Sequence, residues 1–170
     1  MVKALEGKKI LIVDDEPDIL ETLSELLDMC VADYARDFAT AERLIKENSY
    51  DAAILDIMGV EGYDLLQLAR DKDLPALMLT AHALSPNHLL KSIKGGAYSY
   101  IPKDELVNIA FYLDDMIQAK LKNDRKSQKW FKKLSPIFDN KFGSDWRIKH
   151  RRELLNLDLT HTREELEEIL

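Results

Sequence analysis

Short runs of consecutive apolar residues alternate along the chain with longer segments in which apolar residues recur every three or four positions. The first run, Ile10 to Val13, has no polar residue within it. A run of this kind is typical of a strand buried on both faces of a parallel sheet. Pro17 then opens a segment whose leucines and isoleucines recur at helical spacing. The pattern predicts a buried strand followed by an amphipathic helix.

The same pair of patterns recurs until about residue 121. Further strands are predicted at residues 31–34, 52–55, 75–79 and 99–101, and further helices at 39–46, at 63–70, after Ser85 and Pro86, and from Glu105. Ser85 and Pro86 form a typical helix start, and Gly95 with Gly96 a typical end. Regular alternation of strand and helix indicates a doubly wound α/β sheet.

Residues whose side chains can carry out chemistry lie where the predicted strands end. They are Asp14 and Asp15, Asp56, Thr80 and Lys103. Ligands of doubly wound sheets bind beyond the carboxyl ends of the strands, so we expect these side chains to converge. Crowded carboxylates are relieved by a shared proton or by a hard divalent cation, for which magnesium is the natural candidate. Such a cation, an ammonium and a hydroxyl together suit a phosphoryl group, with a carboxylate left as nucleophile.

Four segments resemble the receiver domain of two-component response regulators. They are ILIVDDEP at 10–17, YDAAILDI at 50–57, MLTA at 78–81 and GAYSYIPK at 96–103. The resemblance runs from about residue 8 to residue 121 and implies a flavodoxin-like (βα)5 fold with strand order 2-1-3-4-5. We therefore expect a receiver domain over residues 1–121 and a helical C-terminal extension over 122–170.

The resemblance also implies a signalling protein rather than an enzyme. Asp56 would accept a phosphoryl group from a histidine kinase or a phosphotransfer protein. Mg²⁺ would be held by Asp14, Asp15, Asp56 and the backbone carbonyl of Met58.

The resemblance also implies a conformational switch driven by phosphorylation. Thr80 would move toward the phosphoryl group, Lys103 would pair with it, and Tyr100 would rotate inward. The fourth helix, fifth strand and fifth helix would form the output surface, which could also carry dimer contacts.

The chain departs from the family pattern in two places. The loop after Asp56 is about two residues shorter than usual and lacks a proline, and Asp104 replaces the usual proline after Lys103. We expect a trans or strained Lys103–Asp104 bond, because a cis bond before a residue other than proline is costly. Met58 and His82 occupy positions that tend to modulate loss of the phosphoryl group in this family. Apolar Met58 cannot orient water, which predicts slow self-dephosphorylation; an unchanged lifetime in Met58→Asn would count against this.

Two other classes of function compete for the same residues. A phosphorylation-independent scaffold of receiver fold stays open, although this chain retains every key group. An aspartate-nucleophile hydrolase of the haloacid-dehalogenase type would require a second aspartate where Met58 stands, and is disfavoured.

Charged residues are unevenly distributed along the chain, whose net charge is −7. Residues 120–152 hold 12 basic and 3 acidic residues, with five aromatic residues among them, and residues 153–170 are acidic. Basic and aromatic residues together suggest a nucleic-acid-binding regulator, whereas a small helical cap packed by those aromatics is the favoured interpretation. Lys122, Lys126, Lys129 and Lys133 would form one stripe if the fifth helix continued.

The end of the chain adds a prediction about self-pairing. Thr162 and Glu165 form a capping box that predicts a final helix. A basic segment followed by an acidic one suggests pairing within one chain or between two copies. No apolar run is long enough to span a membrane, and we expect a cytoplasmic protein.

Overall fold

The computed structural model describes residues 3–82, 84–124 and 128–159. Five parallel strands form one sheet in the order β2-β1-β3-β4-β5, which confirms the predicted doubly wound architecture. The strands are β1 (Lys9–Val13), β2 (Val31–Ala35), β3 (Ala52–Asp56), β4 (Ala76–Thr80) and β5 (Ser99–Pro102).

Five helices connect and follow these strands. They are α1 (Pro17–Leu26), α2 (Phe38–Glu47), α3 (Gly62–Asp71), α4 (Pro86–Lys94) and α5 (Ile109–Leu121). The predicted start of α4 is confirmed, because the Ser85 hydroxyl accepts a hydrogen bond from the backbone N–H of His88 at 3.2 Å. Gly96 ends it with a φ of +101°.

The entry into α5 differs from the prediction of a helix from Glu105. A 3-10 turn covers Lys103–Asn108, and α5 begins only at Ile109. The Glu105 carboxylate accepts hydrogen bonds from the Asn108 amide at 3.1 Å and from the Tyr112 hydroxyl at 3.2 Å. These side-chain bonds hold the tighter turn against the first part of α5.

The strand register aligns the carboxyl ends of the central strands. Val13 lies beside Leu55, and Asp56 lies beside Leu79. Every residue of β3 and β4 is buried, as the absence of polar alternation predicted. The residues that follow or end these strands therefore meet at one edge of the sheet.

Within the described part of the chain, three more helices follow α5. They are α6 (Lys129–Phe142), α7 (Trp146–Lys149) and α8 (Arg151–Asn156). The fifth helix does not continue into the predicted lysine stripe: Asn123 has a φ of +52°, and the next residue donates its backbone N–H to the Ala119 carbonyl. This left-handed turn ends α5, so the condition for a single lysine stripe is not met; Lys126 lies outside the described residues. The division of the chain at residue 121 stays a prediction.

The aromatic residues of the C-terminal helices pack together. Trp130, Phe131, Phe138 and Trp146 are buried, and Phe142 stacks on Phe138 with ring centroids 5.3 Å apart. The packing confirms the interpretation of a small helical cap. The proposed capping box at Thr162 lies outside the described residues, as does most of the acidic segment.

Asp139 is expected to stabilise this cap. Its carboxylate accepts hydrogen bonds from the indole N–H of buried Trp146 at 2.7 Å and from the Arg147 guanidinium at 2.8 Å. Asp139→Ala leaves the indole N–H without this acceptor and should destabilise the protein by about 1–3 kcal/mol in urea unfolding followed by circular dichroism. Asp145→Ala, which removes only an exposed ion pair with Lys149, is the control and should change stability little. Equal losses in both variants would contradict the assignment.

Among the described residues, none of the helices combines the length and the apolar character needed to cross a bilayer.

Candidate functional site

Lys103 reaches from the end of β5 into a group of carboxylates. Its Nζ atom lies 2.8 Å from Asp14 Oδ2, 3.1 Å from Glu16 Oε1 and 3.3 Å from Asp56 Oδ1. The lysine side chain is only 9% exposed. The structure thus brings together three of the residues predicted from the strand ends. It adds Glu16, which sequence reasoning missed although the acidic run from Asp14 to Glu16 was visible.

The Asp14 carboxylate is completely buried at the end of β1. Its Oδ1 accepts a hydrogen bond from the backbone N–H of Glu16 at 2.9 Å. Burial raises the pKa of Asp14, and the hydrogen bond and charge of Lys103 oppose that rise. A cation near this carboxylate is therefore the main compensation for taking it out of water.

Asp56 is a second buried carboxylate in the same place. Burial, followed by the negative charge of Asp14, raises its pKa to about 7, against an ordinary value of 3.8. Burial alone would lower the pKa of Lys103, but the hydrogen bond to Asp14 and the charges around it raise that pKa instead. Lys103 therefore keeps its charge near neutral pH, and Asp56 holds its proton more tightly than an exposed aspartate.

Oxygen ligands for a hard cation lie next to these groups. Carboxylate oxygens of Asp14, Asp15 and Glu16 lie within 4.8 Å of one another. Asp14 Oδ2 is buried and lies 2.8 Å from Lys103 Nζ, the cation that offsets its charge. A set made of carboxylate oxygens alone is the kind that Mg²⁺ prefers, so the residues present fit this ion. The participation of Asp56 and of the Met58 carbonyl stays a prediction; the Met58 side chain is 52% exposed.

The short loop after β3 presses its backbone against the acidic group. Gly59 has a φ of +86°, and a Cβ atom built on it would lie 2.6 Å from Asp15 Cγ. A Cβ on Gly62 would lie 2.8 Å from the Ile57 Cα. Only glycine fits at these two positions without displacing neighbours. The loop's shortness was visible in the sequence, but the approach of Gly59 to Asp15 was not.

The second departure from the family pattern leaves an ordinary backbone. The Lys103–Asp104 bond is trans, as expected, and Lys103 still reaches Asp14 and Asp56.

Thr80 and Tyr100 are joined beside this site. Thr80 ends β4 and is buried, and Tyr100 is completely buried on β5. The Tyr100 hydroxyl is hydrogen-bonded to the Thr80 side chain and accepts a hydrogen bond from the backbone N–H of Ser85 at 3.1 Å. Burial raises the pKa of Tyr100 to about 12, so the hydroxyl keeps its proton. The ring already lies inward here, whereas the resemblance linked that position to phosphorylation.

Phe138 is a neighbour of Tyr100 that no sequence pattern indicated. It belongs to α6, and the two ring centroids are 6.0 Å apart. His82, in contrast, is exposed in the loop after β4.

Comparison with known proteins places this geometry in a family. Residues 10–110 match the model of the response regulator receiver domain. The two-component response regulator ARR10 of Arabidopsis thaliana is 33% identical over 132 residues, covering 71% of this chain and 23% of that protein. ARR18 of the same plant is 34% identical over 113 residues, covering 61% of this chain and 18% of that protein. The chain thus spans about a fifth of the length of these relatives.

Solved structures agree on the fold. A putative response regulator from Chloroflexus aurantiacus is 28% identical, with a TM-score of 0.60 over 66% of this chain and 99% of its own. A CheY-like receiver domain from Methanospirillum hungatei is 23% identical and has a TM-score of 0.63 over 69% of this chain and 99% of its own, which shows a common fold. Because the family model covers more than half of the chain, this protein belongs to the response regulator receiver domain family.

Proposed function

We propose that this chain is a two-component response regulator that accepts a phosphoryl group on Asp56 from a histidine kinase or a phosphotransfer protein. The observation that carries the proposal is the position of Lys103 Nζ, within 3.3 Å of both Asp14 and Asp56. A buried carboxylate beside a fixed ammonium suits phosphoryl transfer, because the ammonium neutralises part of the charge that the phosphoryl oxygens bring. The further carboxylates suit a divalent cation, which would neutralise more of that charge.

In the proposed transfer, one phosphorus–oxygen bond forms and one phosphorus–nitrogen bond breaks. An Asp56 carboxylate oxygen attacks the phosphorus of a phosphohistidine, and the phosphorus–nitrogen bond breaks. The electron pair of that bond stays on the imidazole, which takes up a proton from solvent. Lys103 pairs with an oxygen of the phosphoryl group, and the Thr80 hydroxyl donates a hydrogen bond to another.

Asp14 and Asp15, together with Asp56 and the Met58 carbonyl, would hold Mg²⁺ in this proposal. Bound there, Mg²⁺ supplies charge neutralisation at the phosphoryl oxygens. Glu16 adds a further carboxylate within 4.8 Å of Asp14 and Asp15. Because Glu16 also contacts Lys103, it helps hold the ammonium beside the acidic group.

The decisive experiment is incubation with Mg²⁺ and acetyl phosphate, followed by intact mass measurement. We expect the wild type to gain one phosphoryl group, with acetate as the leaving group, and Asp56→Asn to gain none. Asp64→Asn, an exposed aspartate on α3, is the matched control and should behave as the wild type. The absence of an adduct on the wild type would contradict the proposal and favour a scaffold of receiver fold. An unchanged adduct on Asp56→Asn would show a different acceptor.

The nucleic-acid alternative receives no support from the aromatic residues of the extension. Trp130, Phe131, Phe138 and Trp146 are buried in the helical cap, so they offer no stacking surface to bases. We therefore do not propose nucleic acid as a partner; steep loss of binding to DNA or RNA with salt would argue otherwise.

A further inference from the structure

The C-terminal helices cover one side of the receiver fold. Helix α6 contacts both β5 and α5. Lys133 of α6 places its Nζ over the Phe111 ring of α5, 5.1 Å from the centroid. Glu153 of α8 pairs with Lys94 of α4 at 2.8 Å. The surface formed by α4, β5 and α5, which we call the α4–β5–α5 surface, is therefore occupied by the chain itself.

One contact in this interface reaches the interior. Phe138 of α6 packs against Tyr100, which is completely buried. An outward rotation of the Tyr100 ring would break this contact with α6. The docked helix and the inward ring therefore stabilise each other.

Tyr100 is connected in turn to the phosphoacceptor edge of the sheet. Its hydroxyl is hydrogen-bonded to Thr80, and Thr80 follows Leu79, the β4 residue paired with Asp56. A phosphoryl group on Asp56 offers strong acceptor oxygens to the Thr80 hydroxyl. Once Thr80 donates to that group, its oxygen accepts from the Tyr100 hydroxyl, and the two hydrogen bonds in series strengthen each other. Phosphorylation therefore favours the inward ring.

We propose that α6 is the intramolecular partner of the α4–β5–α5 surface and that its docking and phosphorylation of Asp56 promote each other. This inference rests on the proposed phosphorylation of Asp56. Coupling between two sites is reciprocal: a phosphoryl group that tightens the docking of α6 by some factor is itself favoured by docked α6 by the same factor. The extension then acts as an activator in the same chain, and a second copy gains access to this surface only when α6 leaves it.

The test measures both directions of the coupling in the full chain. In the first direction, hydrogen exchange of α6 is followed with Mg²⁺ alone and with Mg²⁺ plus beryllium fluoride, a phosphoryl analogue. We expect exchange in α6 to slow by about fivefold or more when the analogue is bound. In the second direction, the affinity for beryllium fluoride is compared between the wild type and Phe138→Ala, which should bind it weaker by a similar factor.

Two further variants separate a specific contact from general damage. Ile148→Ala truncates an apolar side chain that is 67% exposed on α7 and should leave both measurements unchanged. Phe138→Leu keeps an apolar group against Tyr100 and should restore part of the affinity; it also replaces Phe138→Ala if that variant does not fold. Exchange in α6 that is unchanged or faster with the analogue would overturn the inference.

Failure of this inference is distinguishable from failure of the proposed function. If the wild type carries a phosphoryl group on Asp56 by mass and α6 exchange does not slow, only the coupling is wrong. If no adduct forms on the wild type, both fail together.

Discussion

Replacing Gly59 by alanine is expected to weaken Mg²⁺ binding by about tenfold or more and to slow phosphorylation of Asp56 with it. The new Cβ would lie 2.6 Å from Asp15 Cγ, so either the Asp15 carboxylate or the loop has to move. A metal site loses affinity steeply when one of its carboxylates is displaced, because the remaining oxygens no longer surround the ion. The φ of +86° at Gly59 adds backbone strain to this displacement.

Mg²⁺ titration calorimetry would measure this effect, with Gly7→Ala as the matched control. Gly7 has a φ of +73°, but a Cβ there would meet no atom within 4 Å. The control therefore carries the backbone strain without the collision, and its Mg²⁺ affinity should stay at the wild-type level. Wild-type affinity in Gly59→Ala would contradict the prediction, because it would show that the collision does not displace Asp15 from the ion.

Asp56→Asn is expected to be more stable than the wild type by about 1–3 kcal/mol at pH 8 without Mg²⁺, and this advantage should shrink as the pH falls toward 4. The pKa of Asp56 rises from an ordinary value of 3.8 to about 7 in the folded protein, first through burial and then through Asp14. The folded state thus binds the Asp56 proton more tightly than the unfolded state. Asp56 therefore contributes most to the free energy of unfolding below pH 4. This contribution decreases as the pH rises toward 7 and stays constant above it.

Urea unfolding of both proteins between pH 4 and pH 8 tests this prediction. Asp64→Asn on α3 removes an exposed charge and should give no pH-dependent difference of this kind. Adding Mg²⁺ at pH 8 should narrow the gap, because a bound cation stabilises the ionised carboxylates of the wild type. A variant less stable than the wild type at pH 8, or a difference independent of pH, would contradict the argument.

Local pattern was sufficient to predict the strands and the edge where the site lies. The apolar run from Ile10 to Val13 is typical of a buried parallel strand, and parallel strands deliver Asp14, Asp56 and Thr80 to the same edge. The start of α4 was equally local, since Ser85 caps it within a single turn. These features depend on neighbours in the sequence or on strand alignment.

Contacts between segments distant in the sequence could not be predicted from the local pattern. The collision that excludes a side chain at Gly59 depends on where Asp15 lies in space. Phe138 meets Tyr100 only because α5 stops at Leu121 and the chain turns back. An uninterrupted fifth helix was compatible with the lysine spacing, because helical periodicity does not show where a left-handed residue such as Asn123 ends the helix.

The placement of the two indole rings gives the molecule a built-in optical probe. Trp130 and Trp146 are the only tryptophans in the sequence, and both are buried in the C-terminal helices. Fluorescence excited at the long-wavelength edge of the absorption band, where tryptophan absorbs and tyrosine does not, therefore originates in the cap alone, whereas the tyrosines are spread over the receiver fold. A shift of that emission to longer wavelength reports that the cap has opened to water, with no label attached and no residue replaced.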